Sequence, residues 1–461
     1  MSSEDWVTSD NAALLTDLYE LTMLQAYHRE GLGDTAVFDL FVRKLPPNRG
    51  FLLAAGLETA LDYLENLHFS EESLDYLRSL GQFSEAFLDY LAGFRFTGEV
   101  RAVPEGTPVF PDEPLLEVIA PLPEAQLAET FLLNQLHFQT LMASKASRVV
   151  EAARGRTVVD FGARRMHGAD ATLKAARAFY IAGVDATSNV LAGQVYGIPV
   201  SGTMAHSYIE AHPDERAAFE AFARLYPETI LLVDTYDTLE GVRKVADMAE
   251  RWGDAFRVRG IRLDSGDLGG LARGAREILD ARGLHGVSIF ASGSLDEYGI
   301  ADLLEDGAPI DGFGVGTHLG VSEDSPYLDS AYKLVEYARE PRMKLATSKT
   351  TLPARKQVYR HSGGDGFYCG DTIAALEEPG MEGQPLLETV MREGERTAPR
   401  RGLDEIRKHA ARERERLAAN LRNLRMSESP YPVAVSEGLK SAVQRLRATL
   451  QRAETGNDYW T

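Results

Sequence analysis

Three short stretches of this chain carry side chains of the kind that hold or transfer phosphate. In the first, the apolar run Gly197-Ile198-Pro199-Val200 breaks into Ser201-Gly202-Thr203-Met204-Ala205 and then presents His206. Small residues let a phosphate or the backbone approach closely, and a neutral imidazole serves as base, ligand or nucleophile. In the second, Arg262-Leu263-Asp264-Ser265-Gly266-Asp267, an arginine and a carboxylate alternate, so in a strand they share a face. Arg262 can clamp a planar carboxylate and Asp264 can hold magnesium or ribose hydroxyls, or the two can close an internal salt bridge. The third, Gly314-Val315-Gly316-Thr317, offers backbone amides and a hydroxyl, suited to a phosphate and equally to a tight turn.

What must position these residues is a repeating frame. From residue 157 onward an apolar run is followed by Gly, Ser, Thr, Asp or Arg and then by a helical stretch. The runs start at Thr157, Gly183, Ile198, Thr229, Gly260, Val287 and Ile310. Between them lie helical patterns such as 237–252 and 267–282, with apolar residues returning every three or four positions. Alternating strand and helix predicts a parallel sheet, and roughly seven units in succession fit a closed barrel better than an open doubly wound sheet. Ligands bind at the carboxyl ends of such strands, where the polar clusters fall. Asp, Ser and Gly in those places also cap the next helix.

The flanks read differently. A helix is predicted over 12–30, a strand over 35–43, helices near 56–66, 71–80 and 84–92, and short strands between Val100 and Ile119 before a helix from Pro123. The expected organisation is an N-terminal α+β domain, 1–145, completed by a strand-rich 340–400. It flanks an irregular TIM-like (β/α) barrel, 146–339, and is followed by a helical C-terminal extension, 401–461.

Composition narrows the class of ligand. The 461 residues carry a formal net charge of −20, which argues against nonspecific nucleic-acid or anionic-membrane binding. An anionic ligand therefore needs a local basic pocket, for which Arg43-Lys44, Arg164-Arg165, Arg262 and the Lys344, Lys349, Arg355, Lys356 group are candidates. The longest apolar runs are strand-sized, so no membrane helix is expected, and the acidic start Met1-Ser2-Ser3-Glu4-Asp5-Trp6 does not read as a secretory signal. The expected compartment is the cytoplasm. A single cysteine, Cys369, excludes an intramolecular disulfide and a cysteine-cluster metal site. There is no phosphate-binding Gly-x-x-x-x-Gly-Lys-Ser/Thr loop and no His-Glu-x-x-His. Leu231-Leu232-Val233-Asp234-Thr235-Tyr236-Asp237-Thr238 superficially suggests the pyrophosphate-sugar motif of the commoner phosphoribosyltransferases, but the second acid and the phosphate loop are misplaced.

Taken in order, a set of segments resembles the nicotinate phosphoribosyltransferase family over nearly the whole chain. They are Leu14 to Met23, Phe38 to Arg43, Asp160-Phe161-Gly162-Ala163-Arg164-Arg165, Gly183 to Asn189, Ser201 to Ser207, Arg262 to Leu268 and Gly314 to Thr317. The resemblance implies a type II phosphoribosyltransferase joining nicotinate to phosphoribosyl pyrophosphate in NAD salvage, with ATP hydrolysis coupled to turnover and Mg2+ present. It implies that His206 is transiently phosphorylated, that Tyr19 and Phe161 sandwich the pyridine ring, and that Tyr19 comes from the second subunit of a homodimer. Thr203 and Arg262 would contact nicotinate, and Asp185 and Arg164 would lie near ring and sugar. Gly316 and Thr317 would hold the 5′-phosphate, and Arg43 would approach pyrophosphate or ATP. Asp264 or Asp185 would favour the cationic sugar. As an aromatic on an amphipathic helix, Tyr19 also suits a core position. Two other readings stay open. One is the same chemistry on nicotinamide, although Gly202-Thr203-Met204-Ala205 looks more like the acid-using branch; the other is a phosphosugar-binding barrel lyase without ATP coupling.

Overall fold

The computed structural model describes residues 6–345, 351–425 and 430–454; Lys349 lies outside them. The chain divides into two units, Leu141–Pro326 and, from both ends, Met1–Thr140 with Tyr327–Thr461.

In Leu141–Pro326 the apolar runs become short parallel strands, Thr157–Asp160, Ala186–Thr187, Ile230–Leu232, Gly260–Leu263, Ser288–Ala291 and Gly312–Val315. Each of the last three lies beside its predecessor in the chain, and Gly312–Val315 then returns to pair with Thr157–Asp160, Gly312 opposite Thr157. That cyclic order belongs to a barrel, because a doubly wound sheet reverses direction from a central strand instead of returning to the first. The run at Val200 joins only by a bridge to Thr187, and among the described residues no ladder connects it to Ile230–Leu232. Pro199 offers no N–H to a ladder, and Val200 is 52% exposed, so the barrel keeps a seam at this point. Leu231, Ile261, Leu263, Ile289, Phe313 and Val315 are fully buried and form its packed centre and wall.

The polar residues after the strands divide into two groups. Asn189, Asp237, Asp267 and Asp296 cap helices, each accepting from the backbone N–H three residues on. Asp160, Asp234 and Asp264 do not, and are free for other work.

The second unit is built from both ends of the chain. Its seven-stranded sheet places Thr35–Val42 between Pro114–Pro121 and Ser330–Tyr337, and Glu99–Ala102 beside Glu388–Arg392. Two sequence boundaries shift accordingly. Ser330–Tyr337, placed in the barrel by a limit at 339, pairs antiparallel with Thr35–Val42. The stretch 401–461 is not helical throughout: besides the helices Leu403–Glu415 and Glu437–Glu454 it supplies the strand Val433–Val435, parallel to Tyr368–Ala375. Among the described residues no helix is long and apolar enough to cross a membrane.

One ionic cluster anchors the barrel loops. Lys145, on the helix Glu129–Ala152, lies 2.6 Å from Glu297 and 2.8 Å from Asp324, and Arg148 reaches the other Glu297 oxygen at 2.9 Å. Lys145 and Glu297 are almost completely buried, so loss of one partner strands a charge away from water. Lys145→Met is expected to lower unfolding free energy by about 3 kcal/mol in urea titrations, and a loss below about 1 kcal/mol would show the cluster dispensable.

Candidate active site

A cleft of about 500 Å³ opens at the carboxyl ends of the barrel strands. Phe161, Arg164 and Arg165 follow the first strand, Ser188 the second, and Gly202 to His206 the run at Val200. Arg262 and Asp264, then Ser292 to Ser294, then Gly314, Gly316 and Thr317 complete the lining. Only the end of Ile230–Leu232 contributes from behind, through Asp234 and Thr235.

Arg262 and Asp264 are the centre of this arrangement. The Arg262 guanidinium donates to the Met204 carbonyl at 2.7 Å and to Ser292 Oγ and Asp264 Oδ1 at 3.3 Å each, and it lies 5.8 Å from the Phe161 ring centre. Its Nε is buried and has no partner among the described residues, and burial lowers its proton affinity against the opposing pull of Asp264 and Asp234. The expected alternative of a salt bridge is therefore realised, but as part of the cleft wall. Asp264 Oδ1 also accepts from Ser292 Oγ at 2.5 Å, while the Asp264 N–H and Ser265 Oγ donate to Asp234 Oδ2 at 2.9 and 2.8 Å. Gly293, with φ of +90°, passes so close that a Cβ there would fall 1.8 Å from the Asp264 carbonyl oxygen.

His206 opens the short helix His206–Glu210, its side chain 40% exposed. Nε2 stands 3.9 Å from Asp264 Oδ2, and Nδ1 is 3.1 Å from Thr235 Oγ1. The ring thus lies between a carboxylate and a hydroxyl.

The Phe161 wall depends on Asp160. This buried carboxylate accepts from the Gly162 N–H and from Thr187 Oγ1, both at 2.8 Å, which fixes the turn; burial raises its pKa and those two donors oppose the rise. Phe161 packs over Gly314, where a Cβ would meet the ring at 2.4 Å, so glycine is required there. Beside it Arg165 donates to Thr317 Oγ1 at 3.4 Å. Three arginines around one partly buried carboxylate make this a basic hollow on an acidic protein.

Not every expected residue gathers here. Phe161, Arg164, Thr203, His206, Arg262, Asp264, Gly316 and Thr317 do. Asp185 is not among the lining residues: it precedes its strand, level with Val158, and accepts from the Val158 N–H at 2.9 Å. The lining residue is Ser188, after the strand, and position relative to the apolar run would have distinguished the two. Arg165 was expected only as part of a basic pocket, and Ser292 to Ser294, Asp234 and Thr235 were not among the expected contacts. Tyr19 and Arg43 belong to the other unit. Tyr19 is 48% exposed on the first turn of Leu18–Glu30, so the core reading fails; beneath it Glu20 is buried, its pKa pushed up to about 7 by burial and Glu129. Arg43 pairs with Asp329 at 3.0 Å. The basic group near 350 forms no anion pocket from its described members, since Lys356 is buried on Asp39 at 2.7 Å and Arg355 reaches Glu99 and Glu117 at 3.2 Å.

Comparison with known proteins gives this geometry a family. Residues 14–137 match the nicotinate phosphoribosyltransferase N-terminal domain, 379–443 its C-terminal domain, and 142–325 the quinolinate phosphoribosyl transferase C-terminal domain. A nicotinate phosphoribosyltransferase (pncB2) of Mycobacterium tuberculosis is 55% identical over 438 residues, 94% of each chain. That of Bacillus subtilis is 44% identical over 80% of this chain and 77% of its own. Among solved structures, human nicotinic acid phosphoribosyltransferase superposes with a TM-score of 0.83 at 32% identity, covering 94% of this chain and 99% of that one. The nicotinate-nucleotide pyrophosphorylase of Pyrococcus furiosus superposes with a TM-score of 0.73 at 26% identity, covering 90% and 99%.

The displacement of Asp185 is directly testable. Asp185→Asn is expected to leave ligand affinity in the cleft within about twofold while lowering the melting temperature, because it weakens one backbone contact. A tenfold loss of affinity, on the order of 1.4 kcal/mol, with unchanged melting would return Asp185 to the site.

Proposed function

This chain belongs to the nicotinate phosphoribosyltransferase family, and from that premise we propose how its cleft performs the reaction. The enzyme joins nicotinate to 5-phosphoribosyl 1-pyrophosphate, giving nicotinate mononucleotide and pyrophosphate, a step of NAD salvage. As pyrophosphate leaves, positive charge grows at the ribose C1 carbon, and the pyridine nitrogen attacks with its own lone pair, so no general base is needed. Placement and charge carry the catalysis.

Nicotinate lies against Phe161, its carboxylate on Arg262 with Thr203 beside it. What supports this is a half-buried planar guanidinium beside an aromatic face, with a donor still unpaired. Gly316, Thr317 and Arg165 receive the 5′-phosphate, and Arg164 approaches the sugar. Asp264 faces the developing cation. Magnesium is normally held by one or two carboxylates together with substrate phosphates, and Asp264 and Asp234, whose Oδ1 is buried without a partner, suit that role. Magnesium would neutralise charge on the departing pyrophosphate.

His206 carries a phosphoryl group taken from ATP, which couples hydrolysis to product formation. The supporting observation is its place between Asp264 and Thr235 with one side of the ring open to the cleft. Neutral imidazole is a competent nucleophile near neutral pH.

The protein works as a homodimer in the cytoplasm, a compartment that suits a chain with one exposed, unpaired cysteine. Leu15, Leu18 and Tyr19 are exposed on one unit, and Val190, Leu191, Val195 and Val200 on the other. Pairing such surfaces between protomers would cover both and bring Tyr19 of one protomer to the ring held by Phe161 of its partner. Arg43 then turns from Asp329 toward pyrophosphate or ATP phosphates.

Incubation with γ-labelled ATP is expected to leave acid-labile phosphate on the wild type and none on His206→Ala; an unlabelled wild type, or label persisting in the variant, overturns the phosphohistidine. Arg262→Ala is expected to raise KM for nicotinate at least about tenfold more than for nicotinamide, since it removes a charge-assisted pair only the acid can make. Equal changes in steady-state kinetics with the two pyridines would contradict the carboxylate contact.

A further inference from the structure

The segment Val233-Asp234-Thr235-Tyr236-Asp237 has the look of a phosphoribosyl motif but does not line the cleft. Asp237 caps the helix Thr238–Trp252, which leaves Asp234 and Thr235 to account for. Both turn toward the histidine's surroundings. Asp234 fixes Asp264 and Ser265 through their N–H and hydroxyl, and Thr235 meets the His206 ring itself.

We infer that Thr235 is a positioning residue that sets the orientation and tautomer of His206. Asp264 Oδ1 is already engaged by Ser292 and Arg262, so Oδ2 is the oxygen facing Nε2, 3.9 Å away. A carboxylate at that place favours the proton on Nε2, because a ring lone pair there would face negative charge. Nδ1 is then the acceptor, and the Thr235 hydroxyl, 3.1 Å distant, donates to it. Thr235 is the group that tells the two ring nitrogens apart: without its O–H, Nδ1 loses its donor, and the nitrogen carrying the lone pair no longer has a fixed place. Met204, two residues before, is held by the Arg262 guanidinium, so the backbone leading to the ring is anchored separately from the ring.

This inference rests on the phosphohistidine reading for its catalytic consequence, though not for the tautomer. In the phosphoryl step the Nδ1 lone pair forms the bond to the γ-phosphorus. The bond to the β,γ-bridging oxygen breaks, and its electron pair leaves with the nucleoside diphosphate. The ring becomes a cation whose Nε2–H faces Asp264, while the Thr235 hydroxyl, released from Nδ1, rotates to donate to a phosphoryl oxygen.

The test compares wild type, Thr235→Val and Thr235→Ser as full-length protein. Long-range proton–nitrogen NMR on protein labelled with [15N]histidine, with the His206 signals assigned by their loss in His206→Ala, reads the tautomer without any nucleotide. Wild type and Thr235→Ser are expected to show one Nε2–H tautomer, and Thr235→Val a mixture. In rapid-quench labelling with γ-labelled ATP, Thr235→Val is expected to acquire acid-labile phosphate about tenfold more slowly and Thr235→Ser within about twofold of wild type, with nicotinate KM unchanged in both. If the valine variant, folded by circular dichroism, keeps the wild-type tautomer and labelling rate, the role of Thr235 is overturned. If the serine variant fails to rescue, the hydroxyl is not the operative group and the inference falls equally. An unlabelled wild type would overturn the phosphohistidine instead, and the tautomer comparison would still decide for or against Thr235.

Discussion

The two oxygens of Asp264 organise the mouth of the barrel. One is taken by Ser292 and Arg262, residues at the ends of two neighbouring strands; the other faces His206. From behind, Asp234 at the end of a third strand holds the Asp264 backbone. Gly293 closes the arrangement by passing where no side chain fits. A carboxylate restrained from so many directions has little freedom left to lose when substrate binds, and such restraint is what electrostatic catalysis requires. Arg262 transmits it further, since the same guanidinium spans Phe161, Met204 and Ser292.

The charge distribution makes sense on the same footing. A protein with a formal charge of −20 repels anions at long range, yet the cleft presents Arg164, Arg165 and Arg262 against Asp264. Elsewhere some basic side chains are consumed by internal carboxylates, as Lys356 is by Asp39 and Lys145 by Glu297 and Asp324. Selectivity for a phosphorylated anion therefore arises where the arginines are left without full compensation. Any gain in association rate from charge is local and falls with salt.

Much of the barrel was legible because its signal is repetitive: seven apolar runs each ending in small polar residues, in an order that places their carboxyl ends together. Phe161, His206, Arg262, Asp264 and Thr317 follow such runs and reach the cleft. Asp185 shows where the expected set and the cleft lining part. A carboxylate before a strand and a serine after it stand three residues apart, and only the direction of the strand tells which of them lines the cleft. Thr235 escaped notice because its part is played through a ring nitrogen 29 positions away, a contact that no local spacing reports. Ser330–Tyr337 was placed with the barrel for a related reason: a short strand looks the same whichever sheet it joins, and its partner, Thr35–Val42, lies far away near the start of the chain.

The seam beside Val200 has a mechanical meaning. The segment leading to His206 is held to the barrel by a single bridge and the bonds between Thr187, Pro199 and Ser201, whereas its counterparts lie in ladders, four of them with strands on both sides. Local opening free energy follows the number of interactions that must break together, so this segment is the one that can shift while the rest of the barrel stays closed. The loosely held segment is also the one that carries His206 into the cleft. The barrel leaves slack in that one stave.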